Sequence, residues 1–252
     1  MEVTFLGTGT SQGIPVIGCD CKICQSKNIK DKRLRSSIYI KYNKTNIIID
    51  TGPDFRQQAL KEKIKNLDFI LYTHAHKDHT GGIDDIRSFN FFLKKKIPIY
   101  GNKKTMNQII NDYSYIFKKN NYKALPKLSI NYINNEFKTN GILIKPIKVK
   151  NNKLDVLGYR INNFTYITDA NFISNNEKKK IVGSEVLVIN CLQKDKHVSH
   201  FNLDEALSII KELKVKKTYL THISHNLGLH RETSKILPKN VKMAYDCLKI
   251  SI

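Results

Sequence analysis

Four side chains able to bind a divalent cation fall within six positions of one stretch, Thr73-His74-Ala75-His76-Lys77-Asp78-His79-Thr80-Gly81-Gly82. The stretch follows directly on Asp68-Phe69-Ile70-Leu71-Tyr72, a short apolar run of the kind that forms a buried strand. Imidazoles and a carboxylate leaving the mouth of a strand lie on a loop where they can converge on a hard or borderline cation, and Gly81-Gly82 lets a helix begin close behind. His74 and His76 are spaced to face one ion, Asp78 and His79 a second. A loop that is merely polar and histidine-rich has no need of this order of residues.

A second cluster is Gly18-Cys19-Asp20-Cys21-Lys22-Ile23-Cys24. Thiolates this close repel one another or oxidise unless a soft cation holds them, and C-x-C-x-x-C supplies three of the four ligands of a tetrahedral structural zinc. The fourth must come from elsewhere. Inert buried cysteines are the alternative, but those normally occur singly on apolar faces. Further candidates lie at later strand ends. Asp169 leaves one such end, where a carboxylate is well placed to bridge two ions. His197 and His200 share a loop suited to proton transfer, and His222 and His225 follow a late strand.

These side chains need strands to carry them. Strand patterns run over residues 2–6, 36–42, 46–49, 68–72, 98–100, 128–134, 142–149, 156–161, 164–168, 185–190 and 215–220. Helical patterns fall near 55–63, 83–92, 104–117 and 174–181, with another opened by Asp204 and capped by Asn202. Asp50 and Asp54 follow a buried strand; Asp50 suits a hydrogen bond to a metal-binding histidine, Asp54 a helix cap. The turn Gly7-Thr8-Gly9-Thr10-Ser11-Gln12-Gly13 lacks the lysine and spacing of a P-loop and reads as a tight turn near the site. In Tyr113–Lys123 aromatics mix with lysines, as a helix end and solvated loop that could cover a substrate.

The chain has 252 residues, 40% of them apolar and 26% charged, which suits one soluble domain spanning 1–252. No apolar run approaches the roughly 20 residues of a membrane span, and the start shows no signal-peptide layout, so a cytoplasmic location is expected. The net charge of +21 comes mostly from lysine, with only six arginines among 43 basic residues, and is spread along the chain. It implies anionic ligands without singling out nucleic acid.

The H-x-H-x-D-H stretch resembles the signature of the metallo-β-lactamase superfamily. That resemblance implies an α/β fold, a four-layer αββα sandwich with two zinc or manganese ions at one edge, Asp169 as bridging aspartate and His222 as last ligand of the second ion. The cysteine cluster with Thr221-His222-Ile223-Ser224-His225 is similar to the PhnP-type phosphodiesterases over nearly the whole chain. On this likeness Cys19, Cys21, Cys24 and His225 hold one structural zinc, His200 is the proton donor, and a homodimer is implied.

One position departs from the superfamily. A third histidine for the first ion is expected before the strand pair leading to Asp169, yet no histidine occurs between His79 and His197. Asn151 is the expected substitute, with His197 a second possibility. A carboxamide oxygen is a harder, weaker ligand than imidazole, so the first site should bind zinc less tightly and tolerate manganese better. The expected function is hydrolysis of a small anionic phosphodiester, such as a cyclic nucleotide or cyclic ribose phosphate, by a metal-activated hydroxide, with Asp78 and His200 in the chemistry. The alternatives are a ribonuclease Z-like tRNA 3′-processing endonuclease, a glyoxalase-type thioester hydrolase, and a non-catalytic metal-binding protein.

Overall fold

The computed structural model describes residues 1–118 and 124–252. Two mixed sheets pack face to face. The first contains Glu2–Gly7 (β1), Ser37–Tyr42 (β2), Thr45–Ile49 (β3), Phe69–Leu71 (β4), Ile97–Gly101 (β5) and Leu128–Tyr132 (β6). The second contains Phe137–Thr139 (β7), Ile142–Asn151 (β8), Leu154–Ile161 (β9), Phe164–Tyr166 (β10), Phe172–Ile173 (β11), Val186–Asn190 (β12), Lys217–Thr221 (β13) and Val241–Met243 (β14). Lys249–Ser251 (β15) returns to pair with β1 in the first sheet.

Both sheets follow one plan. Antiparallel pairs, β15-β1-β2-β3 in one and β11-β8-β9-β10 in the other, give way to parallel strands, β3-β4-β5-β6 and β10-β12-β13-β14. Parallel strands place their carboxyl ends together, and ligand sites of α/β sheets form beyond those ends. Residues 50, 73–79, 169 and 222 all follow such strand ends.

Side-chain alternation builds the layers. Ile47, Ile49, Phe69 and Leu71 point between the sheets and meet Tyr159, Tyr166, Val186 and Val188 there. Their neighbours Ile48 and Ile70 face outward onto Phe55, Ile86, Phe89, Met106 and Ile109. On the far side Leu187 and Ile189 face Ala206, Ile209 and Ile210. The outer helices of the first sheet are Phe55–Lys61 (α1), Ile86–Leu93 (α3), Lys103–Asp112 (α4) and Ser114–Phe117 (α5), with the single turn Lys77–Thr80 (α2) at the site; those of the second are Asn175–Ile181 (α6) and Leu203–Leu213 (α7), and His230–Ile236 (α8) closes the set. This is the αββα sandwich expected. Burying one of these large apolar side chains contributes roughly 1.5–3 kcal/mol, so the strand ends are anchored by a thick core.

Several local expectations change. The helical pattern over 104–117 breaks at Tyr113, which leaves helical geometry and sends its hydroxyl to donate to Thr80 O, 3.0 Å away. The segment singled out over 113–123 falls partly outside the described residues. Asp54 stands at the N-cap of α1 but makes no cap bond. Its carboxylate instead accepts from Arg35 N at 2.8 Å and Arg35 Nη1 at 3.0 Å, a charge-assisted pairing that outcompetes a cap. Asn202 does cap α7, in a reciprocal box with Glu205.

Candidate metal centre

The loop after β4 is held by its neighbour after β3. Thr51 N donates to His79 O and Gly82 N to Thr51 O, both at 2.8 Å, and a Cβ on Gly52 would collide with Asp78 O. Close backbone approach therefore requires glycine at 52. Asp50, fully buried, accepts from Thr73 N at 2.9 Å, from Thr73 Oγ1 at 2.8 Å and from His79 Nδ1 at 2.7 Å. That last bond fixes His79 with its proton on Nδ1 and turns Nε2 toward the cluster, the orienting role expected for Asp50. Asp50→Asn should lower metal affinity at this histidine about 10- to 100-fold, as read by competition with a chromophoric chelator; unchanged affinity would remove Asp50 from the site.

Asp169 is the hub. Its Oδ2 lies 3.1 Å from His79 Nε2 and 3.2 Å from His222 Nδ1, whereas Oδ1 lies 3.1 Å from His200 Nε2 and 4.0 Å from His74 Nε2. One carboxylate thus turns one oxygen to each group of imidazoles. Asp78, His79, Asp169 and His222 form a compact four-residue set. His74 Nε2 and His76 Nδ1 converge at 3.0 Å, and His74 Nδ1 is held by Thr73 Oγ1 at 2.9 Å. Asn151 is buried and sits beside His200, its Nδ2 3.5 Å from His200 Nε2. His200 also stacks on His222 at 4.9 Å. His197 is exposed and reaches only Ser199 and His200.

The fit to a cation is visible in orphaned atoms. His79 Nε2 and His222 Nδ1 are buried without a hydrogen-bond partner, both facing Asp169. Such groups are costly unless something binds them, and a lone pair on each would bind a metal. Burial works to raise the Asp169 carboxyl, but His222 and His79 override it and hold it well below the usual range. Burial lowers His222 to about 4, so it is neutral at pH 7 as a ligand must be. His79 is the exception: burial would depress it, yet Asp169, Asp78 and Asp50 hold it well above its ordinary value. A metal must displace a proton there, so binding weakens as pH falls.

Three residues at this centre, Asp50, Asp169 and His222, have left-handed backbones, with φ of 63°, 54° and 54°. Such conformations in residues with a Cβ persist where surrounding structure imposes them, and they cluster at functional sites.

The second group lies nearby. Cys19, Cys21 and Cys24 Sγ stand 3.4, 3.4 and 3.5 Å from His225 Nδ1. Tetrahedral zinc with S and N ligands requires edges of about 3.5 Å. The Cys24 backbone N–H, 3.5 Å from Cys21 Sγ, helps lower that thiol to about 6, favouring the thiolate. His230, Cys191 and Cys247 stand outside both groups. Thr10 was not foreseen in the sequence: its Oγ1 lies 3.3 Å from His222 Nε2. Its place in the glycine-rich turn was the available signal.

The fold and sequence are shared with known proteins. The beta-lactamase superfamily domain matches residues 45–223. A crystal structure of a diphosphatase from the PhnP family is 37% identical, with a TM-score of 0.93 over 100% of this chain and 97% of that one. The octanoyltransferase of Porphyromonas gingivalis is 34% identical over 256 residues, covering all of this chain and 52% of that protein, so the chain spans about half the length of this curated relative. The short form of human tRNase Z shares the fold, at 19% identity and a TM-score of 0.72 over 100% of this chain and 99% of that one. The chain belongs to the metallo-β-lactamase superfamily and, within it, to the PhnP-like branch. It carries a His/Asp group able to bind metal. No helix among the described residues is long and apolar enough to cross a membrane.

Proposed function

We propose that this chain hydrolyses small phosphodiesters, of the cyclic nucleotide or cyclic ribose phosphate type, in the cytoplasm, with two divalent cations. The observation that carries the reading is Asp169, whose two oxygens serve two imidazole groups with His200 against Oδ1. Asp78, His79, Asp169 and His222 would hold one cation, and His74, His76, Asp169 and Asn151 the other; Cys19, Cys21, Cys24 and His225 would hold zinc for structure. The cations would neutralise phosphoryl charge and lower the pKa of the attacking water toward about 7. Asp169 keeps both groups in register, and Asp50 keeps His79 in the metal-binding tautomer. His200 stands at the open side of the cluster, where it would give its proton to the departing alkoxide. With the uncharged Asn151 among its ligands, the first site would bind zinc less tightly and tolerate manganese better.

Acyl transfer, suggested by the name of the Porphyromonas relative, is not adopted. Burial pushes the Cys191 thiol up to about 12 and raises Cys247 as well, which leaves neither a good nucleophile at neutral pH. The test is turnover with Mn²⁺ on 2′,3′-cyclic AMP, bis(p-nitrophenyl) phosphate and a precursor tRNA. We expect the small esters to be cleaved and His200→Ala to lower kcat about 10²- to 10⁴-fold with metal content unchanged. Cleavage of the tRNA with both small esters untouched would replace this reading with the endonuclease.

A further inference from the structure

The turn Gly7–Gly13 is a sequence motif that the chemistry above leaves without a task. It lies against the loop after β13. Thr10 N donates to Ile223 O at 3.1 Å and Ile223 N donates to Thr8 O at 2.9 Å, with Gly9 bridged in parallel to Ile223. On its other side Gly9 N donates to Leu34 O at 2.8 Å, and Ser36 Oγ donates to Gly9 O at 2.9 Å. Three backbone bonds and a hydroxyl thus fix Thr10 beside His222, and both residues are buried. Ser224 fixes the far side of the same loop, its N and Oγ both donating to Leu192 O.

Each ring nitrogen of His222 faces an oxygen, but only Nε2 has a hydrogen-bond partner. Its Nε2 lies 3.3 Å from Thr10 Oγ1, and its Nδ1 lies 3.2 Å from Asp169 Oδ2. Only one nitrogen of a neutral imidazole carries a proton. If that proton sits on Nδ1, no lone pair remains there for a cation. If it sits on Nε2 it donates to Thr10, and Nδ1 is free to bind. Nδ1 makes no hydrogen bond to Asp169, so the Thr10 hydroxyl, held in place by the turn, is the hydrogen-bond partner of the ring and accepts from Nε2–H when Nδ1 turns its lone pair to a cation.

We propose that Thr10 is a positioning residue that holds His222 in its metal-binding tautomer, and that this is the task of the glycine-rich turn. The inference rests on the reading of Asp78, His79, Asp169 and His222 as a metal site. Asp50 does the same for His79 from the other sheet edge, so each buried histidine of the second site has its own oxygen partner. Past Thr10 the same segment, through Gly13 N donating to Thr10 O and Ile14 paired with Arg33, leads into the cysteine cluster whose fourth ligand is His225. The cysteine-held site and the catalytic site therefore share the two loops that meet at Thr10 and Ile223.

The test compares the wild-type chain with Thr10→Val and Thr10→Ser, by competition titration with a chromophoric chelator and by the visible absorption of Co²⁺ at the His/Asp site. Valine keeps the shape and removes the hydroxyl; serine keeps the hydroxyl and removes the methyl. We expect Thr10→Val to weaken that site about 10- to 100-fold and change its Co²⁺ spectrum, Thr10→Ser to match wild type, and the cysteine-held zinc to remain in all three. Wild-type affinity and spectrum in Thr10→Val, or equal losses in both variants, would overturn the role of the hydroxyl. A wild-type chain that holds only the cysteine-bound zinc would overturn the metal-site reading along with it.

Discussion

Asp169→Asn is expected to bring the metal content from about three ions per chain to about one, and to cut phosphodiester hydrolysis by roughly 10³-fold or more. The reasoning is geometric and electrostatic. The two Asp169 oxygens lie 3.1 Å from His79 and His200, 3.2 Å from His222 and 4.0 Å from His74, so this one carboxylate reaches both halves of the centre. An amide keeps the volume but gives up the charge and one of the two acceptor oxygens. Its nitrogen would face an imidazole lone pair, where a cation should bind. A factor of 10³ corresponds to about 4 kcal/mol of lost transition-state stabilisation, within the several kcal/mol that a Lewis-acidic cation supplies. Elemental analysis and turnover on the same sample check it; a variant with undiminished metal and activity would remove Asp169 from the role of bridge.

His225→Ala should act mainly on stability. The segment between Ile14 and Asp31 has little core of its own: Ile14 and Cys24 are buried, but Ile17 and Ile29 are 98% and 73% exposed. What fixes it is the convergence of three thiols on His225. Structural zinc sites contribute folding free energy outright, about 10–16 kcal/mol in isolated zinc-finger peptides. Loss of one of four ligands should forfeit part of this, about 5 kcal/mol, which in a chain of this size lowers Tm by roughly 10–20 °C. Thermal unfolding and protease cleavage within residues 14–31 are the readouts. An unchanged Tm would mean that the cysteine loop is held by something other than metal.

Most strands and most of the centre were legible because their residues follow simple local rules, whereas the four-layer sandwich came through resemblance. Three consecutive isoleucines, Ile47-Ile48-Ile49, marked a strand buried on both faces, and the crowding of residues 74–79 after an apolar run marked the metal loop. Three thiols within six positions were readable from spacing, whereas His225 as their partner came only through resemblance, because over 200 residues separate it from Cys19. What stayed hidden was decided by long-range competition. Asp54 has the sequence of a helix cap, but Arg35, distant in sequence, arrives at 3.0 Å and takes it. Tyr113 lies in an unbroken helical pattern, and its bond to Thr80 O shows why the helix breaks there. Thr10 could not be tied to His222 without the pairing of residues 8–10 with Ile223. Asn151 was legible as a departure, and its contact with His200 emerged only from the fold.

In the proposed function one chain carries a two-cation hydrolytic centre beside a cysteine-held zinc. The most direct test is metal content by elemental analysis of protein purified without chelator, with bis(p-nitrophenyl) phosphate hydrolysis followed on the same sample with and without added Mn²⁺. The account predicts about three ions per chain once manganese is supplied, one of them zinc that resists exchange, together with turnover. A single zinc per chain and no turnover even with manganese would contradict it, leaving a protein that kept the fold and its structural metal without the chemistry.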